Sequence, residues 1–323
     1  MIHAIALTGP TASGKTALSL DLAERLGAEI ISADSMQIYR EMDIGTAKAT
    51  AEEQSRARHH MIDVVSPLEN YSVESYRAAA VTVAADIERR GKIPLFVGGT
   101  GLYVDSLMRS AQSDAPESSP DYREKLLAEC GGEWDPDLLW QRLMRVDPDS
   151  AEKIHKNNVK RVIRALEIYD TTGITKTELD ERSRTASSDI SVGMITLDFH
   201  DRELLYSRID RRVDIMLSDG LEGEVESLYR RGLLPEGSTA AQAIGYKEML
   251  AYFDGRCTLS EAADEIRLAS RRYAKRQLTW FRHNRDACRV FVDTEDGRMR
   301  DTEELKDEVY SLALGIIRGW RDE

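Results

Sequence analysis

Residues Gly9-Pro10-Thr11-Ala12-Ser13-Gly14-Lys15-Thr16 form a complete GxxxxGK[ST] phosphate loop, and this feature constrains the fold more than any other in the chain. Such a loop works only between a buried strand and the helix that it opens. Ile2–Leu7 precedes it as an apolar strand. Ala17–Leu26 follows as a helix whose Leu18, Leu22 and Leu26 recur every four residues before Gly27 ends it. Gly9 and Gly14 let backbone N–H groups converge into an anion nest, the helix start adds partial positive charge, and Lys15 adds a full one. The Thr16 hydroxyl is suited to a magnesium ion that bridges phosphate oxygens. A glycine-rich turn without a ligand is the bland alternative, and the complete motif in its strand-to-helix context speaks against it. The loop leaves open whether its guest is a nucleotide or another diphosphate.

The segments that follow predict an α/β protein with a P-loop NTPase-like parallel sheet covered by helices on both faces. A second strand is expected at Glu29–Ala33, a helix at Tyr76–Arg90 stopped by Gly91, and a strand at Ile93–Val97 running into Gly98-Gly99-Thr100. Composition changes at the polar, proline-containing stretch Ser110–Pro120. Helical periodicity then covers Tyr122–Cys130, Asp135–Val146, Ser150–Ile154 and Asn158–Tyr169, with Gly173 and the polar stretch Arg182–Asp189 closing the segment. Ser191–Phe199 reads as a strand again, so the helical part is expected to be an insertion. Helices are expected over Arg202–Arg230, Gln242–Tyr252, Ser260–Asn284 and Thr302–Trp320. The predicted organisation is a P-loop core over 1–114, a mainly helical insertion domain over 115–188, and a return to the core with C-terminal helices over 189–323.

Charge narrows the possible partners. With 44 Lys and Arg against 57 Asp and Glu, the net charge of −13 argues against coating nucleic acid with the whole surface, because such affinity comes from neutralising phosphates. Any contact must be local. The segment Arg271–Arg289 supplies a basic island: Arg271, Arg272, Lys275, Arg276, Arg282, Arg285 and Arg289 against the single carboxylate of Asp286. The three cysteines, Cys130, Cys257 and Cys288, lie far apart and in no CxxC spacing, which predicts reduced thiols without a disulfide framework or zinc site. No apolar stretch approaches membrane-spanning length, so a cytoplasmic protein without a membrane partner is expected.

Two carboxylates follow apolar strands and could serve the phosphate site: Asp34 and Asp198. Ligands of open parallel sheets sit at the carboxyl ends of the strands, so Asp34 and Thr100 should border the loop. By spacing alone Asp34 fits a metal ligand, a general base or a helix N-cap. The pair His59–His60 is read as structural, and Asp147-Pro148-Asp149-Ser150 as a helix start.

Several blocks, in order, resemble the bacterial tRNA dimethylallyltransferases. They are Gly9–Thr16, Asp34-Ser35-Met36-Gln37-Ile38-Tyr39, Met42–Lys48, Gly98–Tyr103, Arg161–Glu167, Arg208–Val213, Gln242–Glu248 and Lys275–Arg282. The resemblance runs from about residue 4 to 285. It implies transfer of a dimethylallyl group from dimethylallyl diphosphate to the amino group of the adenosine on the 3′ side of the tRNA anticodon, with magnesium. It assigns Gly9, Pro10, Thr11, Ala12, Ser13, Gly14, Lys15 and Thr16 to the diphosphate, with Thr16 on the metal, and Arg212 to the same group. It makes Asp34 the general base near adenine N6, and Thr100 a residue that places the reacting groups.

By the same resemblance the anticodon stem-loop is held by Asp34, Ser35, Met36, Gln37 and Thr100, by Arg123, and by Lys160, Arg161, Val162, Ile163 and Arg164. Gln242, Ala243, Ile244, Gly245, Tyr246 and Lys247 form a further contact, and the basic island meets phosphates through Lys275, Arg276 and Arg282. An exocyclic amine hidden in a base stack must be extruded to react, so two substrates are expected to enter one channel from opposite ends. Gln242 stands where many members carry Arg, which puts its contact in doubt, and no Cys/His pattern follows residue 285. A small-molecule kinase that uses the loop for ATP is the chief competing class; it does not need the basic island. A non-enzymatic RNA-binding protein fits poorly with intact Lys15, Thr16 and Asp34. Nothing in the sequence requires an oligomer, and a monomer is expected.

Overall fold

The structure, a computed structural model, describes residues 1–108, 119–185 and 188–320. The chain divides into two compact units, Met1–Met108 with Ile190–Glu323, and Arg109–Asp189. The first contains β1 (Ile2–Thr8), α1 (Lys15–Leu26), β2 (Glu29–Ser32), α2 (Ala51–Arg56), β3 (His59–His60), α3 (Val73–Arg89), β4 (Pro94–Gly98) and α4 (Gly101–Met108). The second contains α5 (Pro120–Glu129), α6 (Pro136–Val146), α7 (Pro148–Lys153), α8 (Val159–Thr172) and α9 (Lys176–Thr185). The chain then returns to the first unit with β5 (Ile190–Asp198), α10 (Arg202–Ser218), α11 (Leu221–Arg230), α12 (Tyr246–Phe253), α13 (Leu259–Arg282), β6 (Cys288–Phe291) and α14 (Thr302–Gly319).

The six strands form one sheet in the order β3-β2-β4-β1-β5-β6, and every pairing is parallel. Central β1 is apolar because both its faces are covered. Ala4 and Ala6 join the cluster that contains α3 and α4, while Ile5 and Leu7 join the one that contains α1 and α14. The register pairs Thr8 with Gly98 on one side and with Thr196 on the other. The carboxyl ends of β4, β1 and β5 therefore lie side by side, and the phosphate loop leaves from the middle of the three. No helix among the described residues is long and apolar enough to cross a membrane.

Three expectations change. The span Arg202–Arg230 is two helices, because Asp219 caps α10 and Gly220 takes φ 102°, a conformation that suits only a residue without Cβ. The basic island, read as Arg271–Arg289, runs at its end into a short edge strand over Cys288–Phe291 that was not expected. In the second unit a further helix, α9, runs through to Thr185; the polar stretches expected at 110–120 and 182–189 lie partly outside the described residues. Asp147 does start α7, accepting the Ser150 N–H at 3.1 Å, and it also binds the Thr177 hydroxyl at 2.7 Å. That unit has its own core of Leu126, Leu139, Leu143, Val162, Ile163 and Leu166.

Asp198, considered for magnesium, and Arg282, assigned to RNA phosphate, are instead partners of one another. Asp198 is 1% exposed at the end of β5 and takes both Arg282 Nε and Nη2, at 2.9 and 2.7 Å, with Arg289 nearby at 3.6 Å. A carboxylate removed from water needs such donors, and a guanidinium supplies them in matching geometry. Arg271, likewise expected on RNA, forks onto Asp210. Arg282→Ala leaves Asp198 buried and short of donors, and because Arg282 is itself partly exposed the cost should be about 2–3 kcal/mol. Arg276→Ala, on the exposed face of the same helix, should stay within about 0.5 kcal/mol. Urea denaturation of the two variants checks the contrast.

Candidate active site

The phosphate loop is bent into a strained shape and held there from outside. Gly9 and Gly14 have φ 148° and 90°, and Ala12, which has a Cβ, is forced to φ 61°. Non-glycine residues persist there only when their surroundings over-determine them. Here Arg208 Nε donates to the Ala12 carbonyl at 2.8 Å, and the Thr11 N–H is bound by Gln277 Oε1 at 2.9 Å. Gly9 is also close-packed, since a Cβ on it would stand 2.9 Å from that of Leu197 on β5.

The loop encloses a cleft of about 130 Å³ lined by Thr11–Thr16, Asp34, Gln37, His59 and Arg212. Lys15 reaches across it to the carbonyls of Gly9 and Pro10, at 3.0 and 2.7 Å. Burial, followed by the neighbouring Arg212, brings its ammonium down to about 7, against the opposing pull of Asp34. Burial also lowers Arg212 and Arg208 from their ordinary range. Two basic side chains, Lys15 and Arg212, thus line the cleft with one carboxylate, and Arg208 stands behind the loop on the Ala12 carbonyl. Ser13 Oγ is the one buried side-chain polar atom among the described residues with no hydrogen-bond partner, and the first-turn amides of α1 have no intrahelical acceptor. The donor set is incomplete without an anion that carries several oxygens.

Asp34 leaves the end of β2 beside this charge. Its Oδ1 accepts the Met36 N–H at 2.9 Å, which caps a turn and not a helix. The other oxygen accepts no protein donor among the described residues, so it is available to a substrate. Thr100 lies next to it: the Thr100 hydroxyl accepts the Ser35 N–H at 3.0 Å, and the Thr100 N–H binds the Ala33 carbonyl at 3.1 Å. The glycines around Thr100 are required by close approach. A Cβ on Gly98 would stand 2.2 Å from the Ala33 carbonyl, one on Gly99 2.1 Å from Gln277, and one on Gly101 2.4 Å from the Trp280 ring. Gln37 is satisfied internally by Ser32, at 2.8 Å, and by the carbonyls of Thr46 and Ala47. His59 and His60 are engaged by the Ala57 carbonyl and the Glu29 carboxylate, in keeping with a structural role.

The structure gathers Lys15, Arg212, Asp34 and Thr100 around the loop and sorts the residues assigned to RNA. Gln242, Lys247, Lys275 and Arg276 are exposed in the first unit, as are Arg123, Lys160 and Arg161 in the second; Ser35, Met36, Arg164 and Ile244 are half-buried, and Arg164 is paired with Glu167. Val162, Ile163, Ala243 and Tyr246 are buried, which withdraws their side chains from any RNA. Tyr246 serves the fold: its hydroxyl donates to Glu224 at 2.5 Å, and Glu224 also takes the N–H groups of Asp43, Ile44 and Gly45. Sequence reasoning missed Arg208, Gln277 and Tyr273. Tyr273 lies one turn before Gln277, and burial with the nearby Asp34 pushes its hydroxyl up to about 12, so it keeps its proton. The available signal was spacing: Arg208 precedes Arg212 by four, and Tyr273 precedes Gln277 by four, each pair on one helix face.

A family model described as IPP transferase matches residues 37–284. The chain belongs to the IPP transferase family. Among curated relatives, the tRNA dimethylallyltransferase of Anoxybacillus flavithermus is 50% identical over 294 residues, covering 90% of this chain and 91% of the relative. That of Caldanaerobacter subterraneus subsp. tengcongensis is 42% identical over 320 residues, 98% and 99% of the two chains. The crystal structure of the tRNA isopentenylpyrophosphate transferase of Bacillus halodurans matches with a TM-score of 0.72 at 41% identity, over 99% of this chain and 98% of that one. A eukaryotic dimethylallyltransferase acting on tRNA matches with a TM-score of 0.74 at 31% identity, over 87% and 70%.

The lowered Lys15 makes anion binding pH-linked in this family member. Between its folded value of about 7 and its unfolded value of 10.5, the empty fold holds Lys15 largely neutral while the unfolded chain holds it charged, so this residue's contribution to stability rises with pH across that window. A bound diphosphate restores the proton. At about pH 8, binding of an alkyl diphosphate should take up roughly half a proton or more, seen as a calorimetric heat that varies with the buffer's ionisation enthalpy and is absent in Lys15→Met.

Proposed function

We propose that this member of the IPP transferase family moves a dimethylallyl group from its diphosphate to N6 of the adenosine 3′-adjacent to the anticodon in tRNA, releasing diphosphate. The observation that carries the reading is the join between an anion nest and a free carboxylate oxygen: Lys15, Arg212 and the unpartnered Ser13 on one side, Asp34 on the other. The relatives' activity on tRNA supports the acceptor.

The chemistry follows from that join. The bond between the allylic carbon and the diphosphate oxygen breaks as the bond to the adenine nitrogen forms, and negative charge accumulates on the leaving group. Lys15, Arg212 and the loop amides are fixed where that charge develops, which is worth more than the same donors brought up from water. The nitrogen sheds a proton as it becomes substituted, and the open oxygen of Asp34 accepts it. The Met36 amide holds the other oxygen of that carboxylate, and Thr100, bound to the Ser35 amide beside it, helps to place the reacting groups. The Thr16 hydroxyl would hold a magnesium ion, which would add positive charge against the diphosphate; the buried Ser13 hydroxyl and the cationic rim suit the diphosphate itself.

On the RNA side, Lys275, Arg276, Gln242 and Lys247 offer exposed donors in the first unit, and Arg123, Lys160 and Arg161 in the second. These local groups answer the negative charge of the rest of the surface. We place the enzyme in the cytoplasm and read it as a monomer.

Radiolabel from dimethylallyl diphosphate should enter unmodified tRNA with magnesium present. Asp34→Asn should lower that transfer by about 10²–10⁴-fold while tRNA binding persists, and Lys15→Ala should lower it by about 10²–10³-fold. Steady ATP turnover without label in tRNA would replace the reading with a kinase. Lys275→Ala and Arg276→Ala should each reduce the salt slope of tRNA affinity by about one unit.

A further inference from the structure

We propose that Gln277 is a positioning residue for the diphosphate loop, its carboxamide fixing the Thr11 amide and the Gly99 carbonyl at one spacing across the reacting groups. The inference takes its chemical meaning from the transferase reading, but its test does not depend on transfer.

Gln277 is 4% exposed on α13, a helix whose outer face carries Arg272, Lys275 and Arg276. Both halves of its amide are used. Oε1 accepts from the Thr11 N–H at 2.9 Å, and Nε2 donates to the Gly99 carbonyl at 2.9 Å. The two partners belong to loops that leave adjacent strands, β1 and β4, in the register that pairs Thr8 with Gly98. Gly99 makes room for this side chain, since a Cβ there would stand 2.1 Å from Nε2.

The need for the bridge lies in Ala12. With φ 61° its conformation is costly, and it is bracketed by Arg208 on its carbonyl and by Gln277 on the preceding amide. The Thr11 N–H is thus committed to supporting the loop from behind. Without that support the loop can relax, and a diphosphate must then reorder its donors on binding, which lowers affinity and the stabilisation of developing charge together. Glutamate cannot replace glutamine, because a carboxylate has no proton for the Gly99 carbonyl and puts negative charge behind an anion site.

The test is calorimetric binding of inorganic diphosphate with magnesium to the full chain, at a temperature well below unfolding. Gln277→Met, similar in volume, should lose about 10-fold in affinity, corresponding to one buried hydrogen-bond pair, and Gln277→Glu should lose more. Affinity for tRNA should change less than about twofold in Gln277→Met. Phe281→Leu, 3% exposed one turn along the same helix, controls for general destabilisation and should bind diphosphate as the wild type does. The proposal is overturned if Gln277→Met binds diphosphate unchanged, or if Phe281→Leu loses as much. A wild type that binds diphosphate but transfers no prenyl group would sink the transferase reading and leave the Gln277 result standing.

Discussion

An excess of positive charge at the carboxyl end of the central strand is the constraint around which the first unit is organised. Lys15, Arg208 and Arg212 converge there with Asp34 as the one carboxylate lining the cleft. Burial, and after it the like charge of Arg212, holds the Lys15 ammonium down to about 7 against the pull of Asp34. The rest of the sheet has to supply enough packing to hold them in place. The supply comes from strands buried on both faces and from helices that contribute on both sides of the sheet. An anion entering such a cleft would favour the protonated form of Lys15. A leaving group that gains charge during reaction meets donors already in place.

Close backbone approach is the second theme. Gly98, Gly99 and Gly101 each face an atom that would overlap a Cβ: the Ala33 carbonyl, the Gln277 amide and the Trp280 ring. The turn that carries Thr100 is consequently pressed between β2 and α13. This pressing sets Thr100 against the Ser35 amide, next to Asp34, which lines the cleft. The placement of the two reacting ends therefore depends on main-chain packing as much as on the functional side chains themselves.

Much of this was legible in the sequence because its signals were local. The loop motif between an apolar strand and a helix of fourfold leucine spacing identified the sheet, and the strands at 29–33, 93–97 and 191–199 lie within a residue or two of their observed bounds. The family blocks pointed to Asp34, Thr100 and Arg212, which do gather at the loop. What was not legible depended on tertiary partners. Nothing local distinguishes Arg282, which is bound to a buried carboxylate 84 residues away, from Arg276, which is free to meet solvent. Tyr246 sits in a block read as RNA-facing, but its buried ring packs against Gly45 and its hydroxyl binds Glu224. The two residues of β3 are too few for periodicity to register, and β6 mixes Arg289 with apolar neighbours, without the apolar run that marks β2. Gln277 looked like one polar residue in a basic helix until the helix was docked.

The Glu224 carboxylate joins distant parts of the chain by accepting three consecutive backbone amides, from Asp43 to Gly45, together with the Tyr246 hydroxyl. Gly45 completes the join, since any side chain there would meet the Tyr246 ring at 2.5 Å. These positions are physically interlocked, so a change at one constrains the others. A change at Glu224 strands three amides and a phenol at once, and a larger residue at Gly45 is acceptable only if Tyr246 shrinks. Chimeras that exchange the 42–48 loop between divergent relatives without also exchanging 224 and 246 would thus break an interlock next to the cleft, which Ala47 of the same loop lines.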